Sequence, residues 1–204
     1  MDGSDVPTFV GSDEYVDCVR RCVQLQVDEL GLLLELYGPD MLGGLGVHIT
    51  NQDAVDELGD AAAAMEGLSK AATRRAAASL LAEAALPLVD LEVPLVLPGS
   101  ANASGGGGGD QPAEVVASLR VRIPRDYPLI SPPAAAFTAD IGLYPEAAQG
   151  KVRPVIASGA LRIWAGAEKG PCMCELVEWA TTELPPLLAA RLGPVAHPLG
   201  SGLE

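Results

Sequence analysis

The sequence DYPLISPP occupies positions 126–133 and directly follows the alternating apolar stretch 119–123. Proline fixes its own φ angle and restricts the residue before it, so the backbone here is held close to an extended form. We therefore expect the chain to leave a sheet at this point along one fixed path. The residues that set this path, and that we take as the structural motif of the fold, are Tyr127, Pro128, Pro132 and Pro133.

Four stretches predict the strands of an antiparallel sheet. Apolar residues alternate with polar ones in 89–97 and again in 119–123, which is typical of a hairpin with one buried face. A short strand around 44–49 and a last strand over 134–138 complete the sheet. In the hairpin, acidic residues face basic residues across the strands, and the residues concerned are Asp90, Glu92, Arg120 and Arg122.

Periodicity predicts helices before and inside this sheet. Apolar residues recur every three or four positions from 16 to 37, and Ser12 is a suitable N-cap for that first helix. Thr50 and Asp53 have the spacing of a capping box at the start of a second helix. This helix continues into an Ala-rich extension to about Ala85, so 51–85 is interpreted as a helical insertion.

The C-terminal part is predicted to be helical as well. Residues 141–170 are irregular or helical, and a final helix begins near Pro171. The pair Pro185 and Pro186 should break that helix and leave 187–192 as a separate short one.

A glycine-rich loop, 99–112, joins the two hairpin strands and contains five consecutive glycines at 105–109. Such a loop can cradle phosphate, but a phosphate loop also needs a following helix and usually a lysine beside a serine or threonine. Here Asp110 and Gln111 lead into a strand instead. A flexible hairpin tip is therefore the preferred interpretation, and nucleotide binding is the lesser alternative.

Charge and hydropathy exclude several classes of function. The 204 residues carry a formal net charge of -14, which opposes binding to nucleic acid or to an anionic membrane surface. We find neither a basic, apolar leader nor an apolar run of membrane-spanning length, and so expect an intracellular protein, in the cytoplasm. Residues 199–204 are interpreted as a tail, with a cloning origin as one alternative.

The order of these elements leads to a family. The chain resembles the RWD domain over nearly its whole length, on 26–30 with Tyr37, on 127–133 and on 175–179. It is most similar to the RWD-domain-containing protein 2 family, through 47–58 and 170–174. Relatives in that group continue into a second, C-terminal domain.

The resemblance implies an α+β sandwich related to ubiquitin-conjugating enzymes. Its four-stranded antiparallel sheet would be covered by the N-terminal and C-terminal helices, with the Ala-rich helix as an insertion. Residues 1–198 would form one domain. The resemblance also implies that this domain binds proteins rather than performing chemistry.

A conjugating enzyme needs a thiol downstream of the Tyr-Pro segment to hold the thioester. Residues 138–171 contain neither cysteine nor histidine, and His197 lies near the end with no cysteine after it. We therefore predict no catalytic residue and no enzymatic activity. The four cysteines, expected as reduced thiols on helices, are Cys18, Cys22, Cys172 and Cys174.

Other candidate sites are interpreted structurally. Four thiolates can bind zinc, but the usual C-x-x-C spacing is missing, so we expect buried apolar cysteines and neither metal nor cofactor. His48 is expected to have a structural role in a strand. Trp164 and Trp179 are expected in the core, with an exposed contact as the alternative for Trp164. The acidic residues interpreted as a solvated helix face are Asp53, Asp56, Glu57 and Asp60.

We predict a noncatalytic protein-interaction domain that is part of a larger protein or complex. Its partner-binding residues and its partner proteins are unknown. One alternative is a structural unit that forms a homodimer or docks through the Ala-rich helix. Another is an adaptor in ubiquitin or SUMO transfer, which rests on the resemblance alone.

Overall fold

Four strands form one antiparallel sheet in the order β1-β2-β3-β4. The computed structural model describes residues 12–38, 46–82, 88–97, 117–139 and 146–192. The strands are β1 (His48–Ile49), β2 (Val89–Leu95), β3 (Ala117–Ile123) and β4 (Ala134–Ala139).

The central hairpin has the predicted register. Asp90 lies opposite Arg122 and Glu92 lies opposite Arg120. The Arg122 guanidinium donates from Nε and Nη2 to the two Asp90 carboxylate oxygens, at 2.7 and 2.9 Å. This is the bidentate geometry that arginine favours with a carboxylate. The hairpin prediction is confirmed, and the charged side chains lie on the sheet face away from the core.

The opposite face of the sheet forms the main core. Every second residue of β2 and β3 turns inward, as the alternation of apolar and polar residues requires. Each of these side chains is at most 1% exposed: Val89, Leu91, Val93, Leu95, Leu119, Val121 and Ile123. Helices cover this face, because burying the apolar side of a sheet needs a second layer.

The first helix, α1, spans Asp13–Tyr37 and begins as predicted. The Ser12 hydroxyl accepts a hydrogen bond from the Tyr15 backbone N–H at 3.2 Å, which satisfies one of the free donors of the first turn. Val19, Cys22 and Leu33 on its inner stripe are fully buried.

The Ala-rich region differs from the prediction in two ways. It forms two helices, α2 (Gln52–Met65) and α3 (Lys70–Ala82), rather than one. Gly67 separates them with a φ of 71°, in the left-handed region that a continuing helix cannot use. Both α2, which precedes this turn, and α3, which follows it, pack against α1.

The start of α2 is the second difference. Thr50 is not its cap, because the Thr50 hydroxyl donates to the Asp90 carbonyl of β2 at 3.1 Å. Asn51 holds the N-cap position, and its side chain also bonds to the sheet rather than to the helix. Its Nδ2 donates to the Leu88 carbonyl at 2.6 Å and its Oδ1 accepts from the Asp90 N–H at 2.8 Å. The capping-box prediction is wrong because the side chains of Thr50 and Asn51 bond to the backbone of residues 88–90 instead of to the first turn of α2.

Three helices follow the sheet. The region predicted as irregular or helical contains α4 (Glu146–Gly166), which continues through Pro154. Next come α5 (Met173–Thr182) and α6 (Leu184–Leu192). A break between the last two helices is present as predicted, but it lies at Glu183 and α6 begins at Leu184 rather than at 187. Both prolines stand in the first turn of α6, where a missing N–H is tolerated.

The described residues thus form an α+β fold with a four-stranded antiparallel sheet and six helices, and the predicted fold class is confirmed. None of the helices described is long and apolar enough to cross a membrane. Several predicted features lie outside the described residues: the glycine-rich loop 99–112, the strand start at 44–45, the helix end at 83–85, His197 and the tail 199–204.

Candidate functional site

The Tyr-Pro segment turns away from β3 and ends where β4 begins. Tyr127 is 0% exposed and its bond to Pro128 is cis. Pro128 and Pro133 are buried, and Pro132 is half-buried. Three of the four motif residues are thus buried, but residues 125–130 form turns with hydrogen bonds of their own rather than the extended backbone expected from the prolines.

The Tyr127 phenol lies at the centre of a buried hydrogen-bond network that we call the Tyr127 lock; its members are Glu29, Tyr127, Cys172 and Met173. The phenol donates to Glu29 Oε1 at 3.0 Å and accepts from the Cys172 backbone N–H at 2.7 Å. The Met173 N–H donates to the same Glu29 oxygen at 2.5 Å. The lock thus ties α1, the Tyr-Pro segment and the start of α5 together.

Burial sets the protonation behaviour of this lock. Burial raises the pKa of the Glu29 carboxyl from its usual 4.5, although the hydrogen bonds from Met173 and Tyr127 partly oppose the rise. Glu29 Oε2 is buried and has no hydrogen-bond partner among the described residues. Burial and the neighbouring Glu29 carboxylate also raise the pKa of Tyr127 well above its usual value of 10.0. The Tyr127 phenol therefore stays protonated, and its role is to donate and accept structural hydrogen bonds.

Gln26 supports the backbone that leads into the motif. Its amide Nε2 lies 2.7 Å from the Tyr127 carbonyl and 3.2 Å from the carbonyls of Pro124 and Arg125. Gln26 itself is 1% exposed, so these contacts replace water for three turn carbonyls. The turn is therefore held both by Gln26 and by its own backbone hydrogen bonds, in which Tyr127 N–H donates to the Pro124 carbonyl at 3.1 Å and Ile130 N–H donates to the Asp126 carbonyl at 3.0 Å.

Two further side chains bond to the same segment. The Cys22 thiol lies 3.3 Å from the Asp126 carbonyl. The Trp164 indole N–H donates to the Pro128 carbonyl at 2.5 Å. Trp164 is 8% exposed and lies in α4, so the expected core position is confirmed and its alternative as an exposed contact is wrong.

The cysteines lie in two separate places, and the expectation of buried cysteines on helices holds for Cys22 alone: Cys18 and Cys174 are partly exposed, and Cys172 precedes α5. Cys22 is on α1 beside Asp126, whereas Cys172 touches the Tyr127 phenol. Burial raises the pKa of Cys22 to about 12 and that of Cys172 to about 11, and it also raises the pKa of Cys174. In the described part of the chain, no three metal-ligating side chains are grouped to hold an ion.

The sequence interpretation did not assign roles to Gln26 and Glu29, although both lie in a stretch that carries the family resemblance. The sequence did contain a signal that Gln26 and Glu29 have a structural role. Both occur on the apolar stripe of α1, between the buried residues Val23 and Leu33. A polar side chain on such a stripe needs a buried partner, because an unpaired buried polar group costs about 1–3 kcal/mol.

The remaining predicted residues lie outside the lock. His48 is exposed in β1, and the four acidic residues of α2 are all exposed, as a solvated helix face requires. Trp179 is 5% exposed and packs over Gly159, where a Cβ would overlap its ring. The Trp179 indole N–H has no hydrogen-bond partner among the described residues.

Three grooves are lined by described residues. One of about 390 Å³ runs between α4, α5 and α6 beside Trp179. One of about 460 Å³ lies on the open sheet face beside Arg120 and Arg122. The third, of about 630 Å³, lies between α1 and the α2–α3 turn. We call it the basic groove; the residues that define it are Arg20, Arg21, Met65, Glu66, Leu68 and Lys70.

Comparison with known proteins gives no relative: no family model, no curated protein and no solved structure matches this chain.

Proposed function

We propose that this chain is a noncatalytic protein-interaction domain of the RWD type, working in the cytoplasm as part of a larger protein or complex. The observation that carries the proposal is the Tyr127 lock. Tyr127 of the Tyr-Pro segment is buried and bonds to Glu29 in 26–30, a second region on which the resemblance rests, and to Cys172 at the start of α5. The Tyr-Pro motif therefore has a structural role, and a partner protein would bind to the exposed surfaces of the domain.

The chemistry of the thiols supports a noncatalytic role. Thioester transfer needs a thiolate that substrates can reach. Cys22 and Cys172 are both 0% exposed, and burial disfavours their thiolate forms, whereas Cys18 and Cys174 are partly exposed. The stretch after the Tyr-Pro segment, where a conjugating enzyme carries its nucleophile, has no cysteine.

The overall charge favours protein partners with a basic region. A net charge of -14 accelerates encounter with such partners and suppresses contact with nucleic acid. An adaptor role in ubiquitin or SUMO transfer is a narrower alternative, and it rests only on the resemblance.

Two experiments test the proposal. The purified chain is incubated with ATP and the activating and conjugating enzymes for ubiquitin or SUMO, then run on a nonreducing gel. We expect no thioester on this chain, and a reductant-sensitive adduct would overturn the noncatalytic role. Affinity capture from cells, with an unrelated acidic protein of similar size as control, should enrich at least one protein specifically. Failure to enrich any would reject the interaction role.

Self-assembly is a second candidate function, favoured by an exposed apolar pair. Leu32 and Leu36 lie one turn apart on α1 and are 49% and 48% exposed. On the Ala-rich helix α3, the predicted contact, Ala77 is buried within the chain at 2% exposure, whereas Ala71 and Ala78 are exposed. Sedimentation velocity over a range of concentrations tests this candidate, and a strictly monomeric profile would remove it.

A further inference from the structure

The basic groove concentrates positive charge in a strongly acidic chain. The chain has 13 lysines and arginines against 27 aspartates and glutamates. Yet the groove is lined by three cations, Arg20, Arg21 and Lys70, against the single carboxylate of Glu66. At physiological salt, charges more than about 8 Å away are largely screened, so a bound group responds mainly to this local excess.

The three cations are not neutralised by described neighbours. None of Arg20, Arg21 and Lys70 forms an ion pair with another described side chain, and all three are exposed. Asp17 interacts with two of these cations, since its pKa is lowered mainly by its hydrogen bond to Arg74 and to a smaller extent by Lys70 and Arg20. Both Asp17 oxygens are, however, occupied by Arg74.

The groove also has an apolar side. Leu68 is 44% exposed at the turn between α2 and α3, while Met65 forms a buried wall at 9% exposure. An apolar side chain from a ligand can cover Leu68 while its carboxylates reach the cations. The volume of about 630 Å³ lies within the range of ordinary ligand pockets.

We propose that the basic groove binds a short acidic segment of a partner protein, in which an apolar side chain stands beside two or more carboxylates. This inference rests on the proposed function and adds a second determinant to it: the net charge favours a partner with a basic region, and the basic groove takes a short acidic segment of that partner. Arginine guanidinium groups match carboxylates in a bidentate geometry. A short peptide is favoured over an extended polyanion, because a long phosphate backbone would reach beyond the groove, where acidic residues outnumber basic ones in this chain.

The test uses a fluorescein-labelled peptide of repeated Glu-Glu-Leu, with Gln-Gln-Leu and Glu-Glu-Ser repeats as matched probes. Fluorescence anisotropy should give saturable binding of the Glu-Glu-Leu probe, weaker by about tenfold when either the carboxylates or the leucines are replaced. Absence of binding, or equal binding of all three probes, would overturn the proposal.

Paired variants locate the site. Arg20→Glu with Arg21→Glu should weaken binding by about tenfold or more. The control, Lys151→Glu with Arg153→Glu, makes the same change in net charge at exposed positions of α4. It should change affinity by less than about twofold. Leu68→Ser tests the apolar contact, and circular dichroism checks that each variant folds.

The other outcomes are also decisive. Equal losses in both paired variants would mean a general charge effect and would reject the groove. Tighter binding of a single-stranded oligonucleotide, lost in the groove variant, would assign a nucleic-acid site instead. Self-association that disappears in the groove variant would assign a second copy as the occupant. Cellular partners captured equally by wild type and groove variant would keep the interaction domain but reject this surface.

Discussion

The Tyr127 hydroxyl donates a hydrogen bond to Glu29 Oε1 over 3.0 Å, although the two residues are 98 positions apart in the chain. Both side chains are buried, so each satisfies a polar group that water cannot reach. The bond fixes α1 against the turn that follows β3. Because the same Glu29 oxygen accepts the first N–H of α5, one carboxyl aligns three parts of the fold.

Tyr127→Phe should therefore destabilise the protein without changing its fold. The substitution keeps the ring but leaves the Cys172 N–H without its acceptor, and an unpaired buried group costs about 1–3 kcal/mol. Urea unfolding followed by circular dichroism measures the loss. The control is Tyr37→Phe, whose hydroxyl has no hydrogen bond among the described residues, with an expected change below about 0.5 kcal/mol. Equal effects would contradict a special role for the lock.

Glu29→Gln should change how stability depends on pH. Because burial raises the folded-state pKa of Glu29, its protonated form favours folding, and this contribution is lost as pH rises from 4.5 through the raised value. Glutamine does not titrate, so the variant should gain stability relative to wild type across that interval. Unfolding midpoints at a series of pH values measure the difference. Glu35→Gln, exposed on the same helix, provides the control, and a flat difference for Glu29→Gln would refute the prediction.

The sheet was predictable from local pattern. Alternation in the hairpin gave both the buried face and the facing charges, because the strand period is fixed at two residues. The helix start at Ser12 was equally local, since a cap depends on residues within one turn. The start of α2 could not be predicted from local sequence, because the side chains of Thr50 and Asn51 bond to the backbone at 88–90, about 40 residues later.

The candidate site was less predictable because its contacts are distant in sequence. The Tyr-Pro motif indicated a rigid segment, but nothing local says that Glu29 is its partner. The basic groove was also missed. Its cations come from α1 and α3, and they meet only because Gly67 ends α2 and lets the chain turn. A prediction of one continuous Ala-rich helix leaves no such groove.

The buried thiols should be almost inert in the folded protein. Burial raises the pKa of Cys22 to about 12, so its thiolate fraction near neutral pH is far smaller than that of an ordinary thiol. Iodoacetamide at about pH 8 should therefore leave Cys22 and Cys172 unlabelled, and concentrated guanidinium chloride should expose both. Mass spectrometry of the digested protein identifies the labelled sites. Rapid labelling of either thiol in the native protein would be incompatible with its burial.

Gly159→Ala should disturb the packing of α4 on α5. Gly159 is buried beneath Trp179, and a methyl group there would overlap the indole ring. Overpacking of this kind usually costs about 1–3 kcal/mol, here partly offset by the better helix propensity of alanine. Urea unfolding measures the loss, and the indole N–H resonance of Trp179 should shift while that of Trp164 stays in place.

Gly150→Ala is the matched control for this substitution, because Gly150 lies in the same helix with nothing within 4 Å of an added Cβ. It should be neutral or stabilise the protein by up to about 1 kcal/mol, since alanine loses less backbone entropy than glycine on folding. If Gly159→Ala lowers the free energy of unfolding and Gly150→Ala raises it, the loss is caused by the contact with Trp179. Destabilisation of similar size at both positions would instead mean that α4 needs flexible glycines along its length.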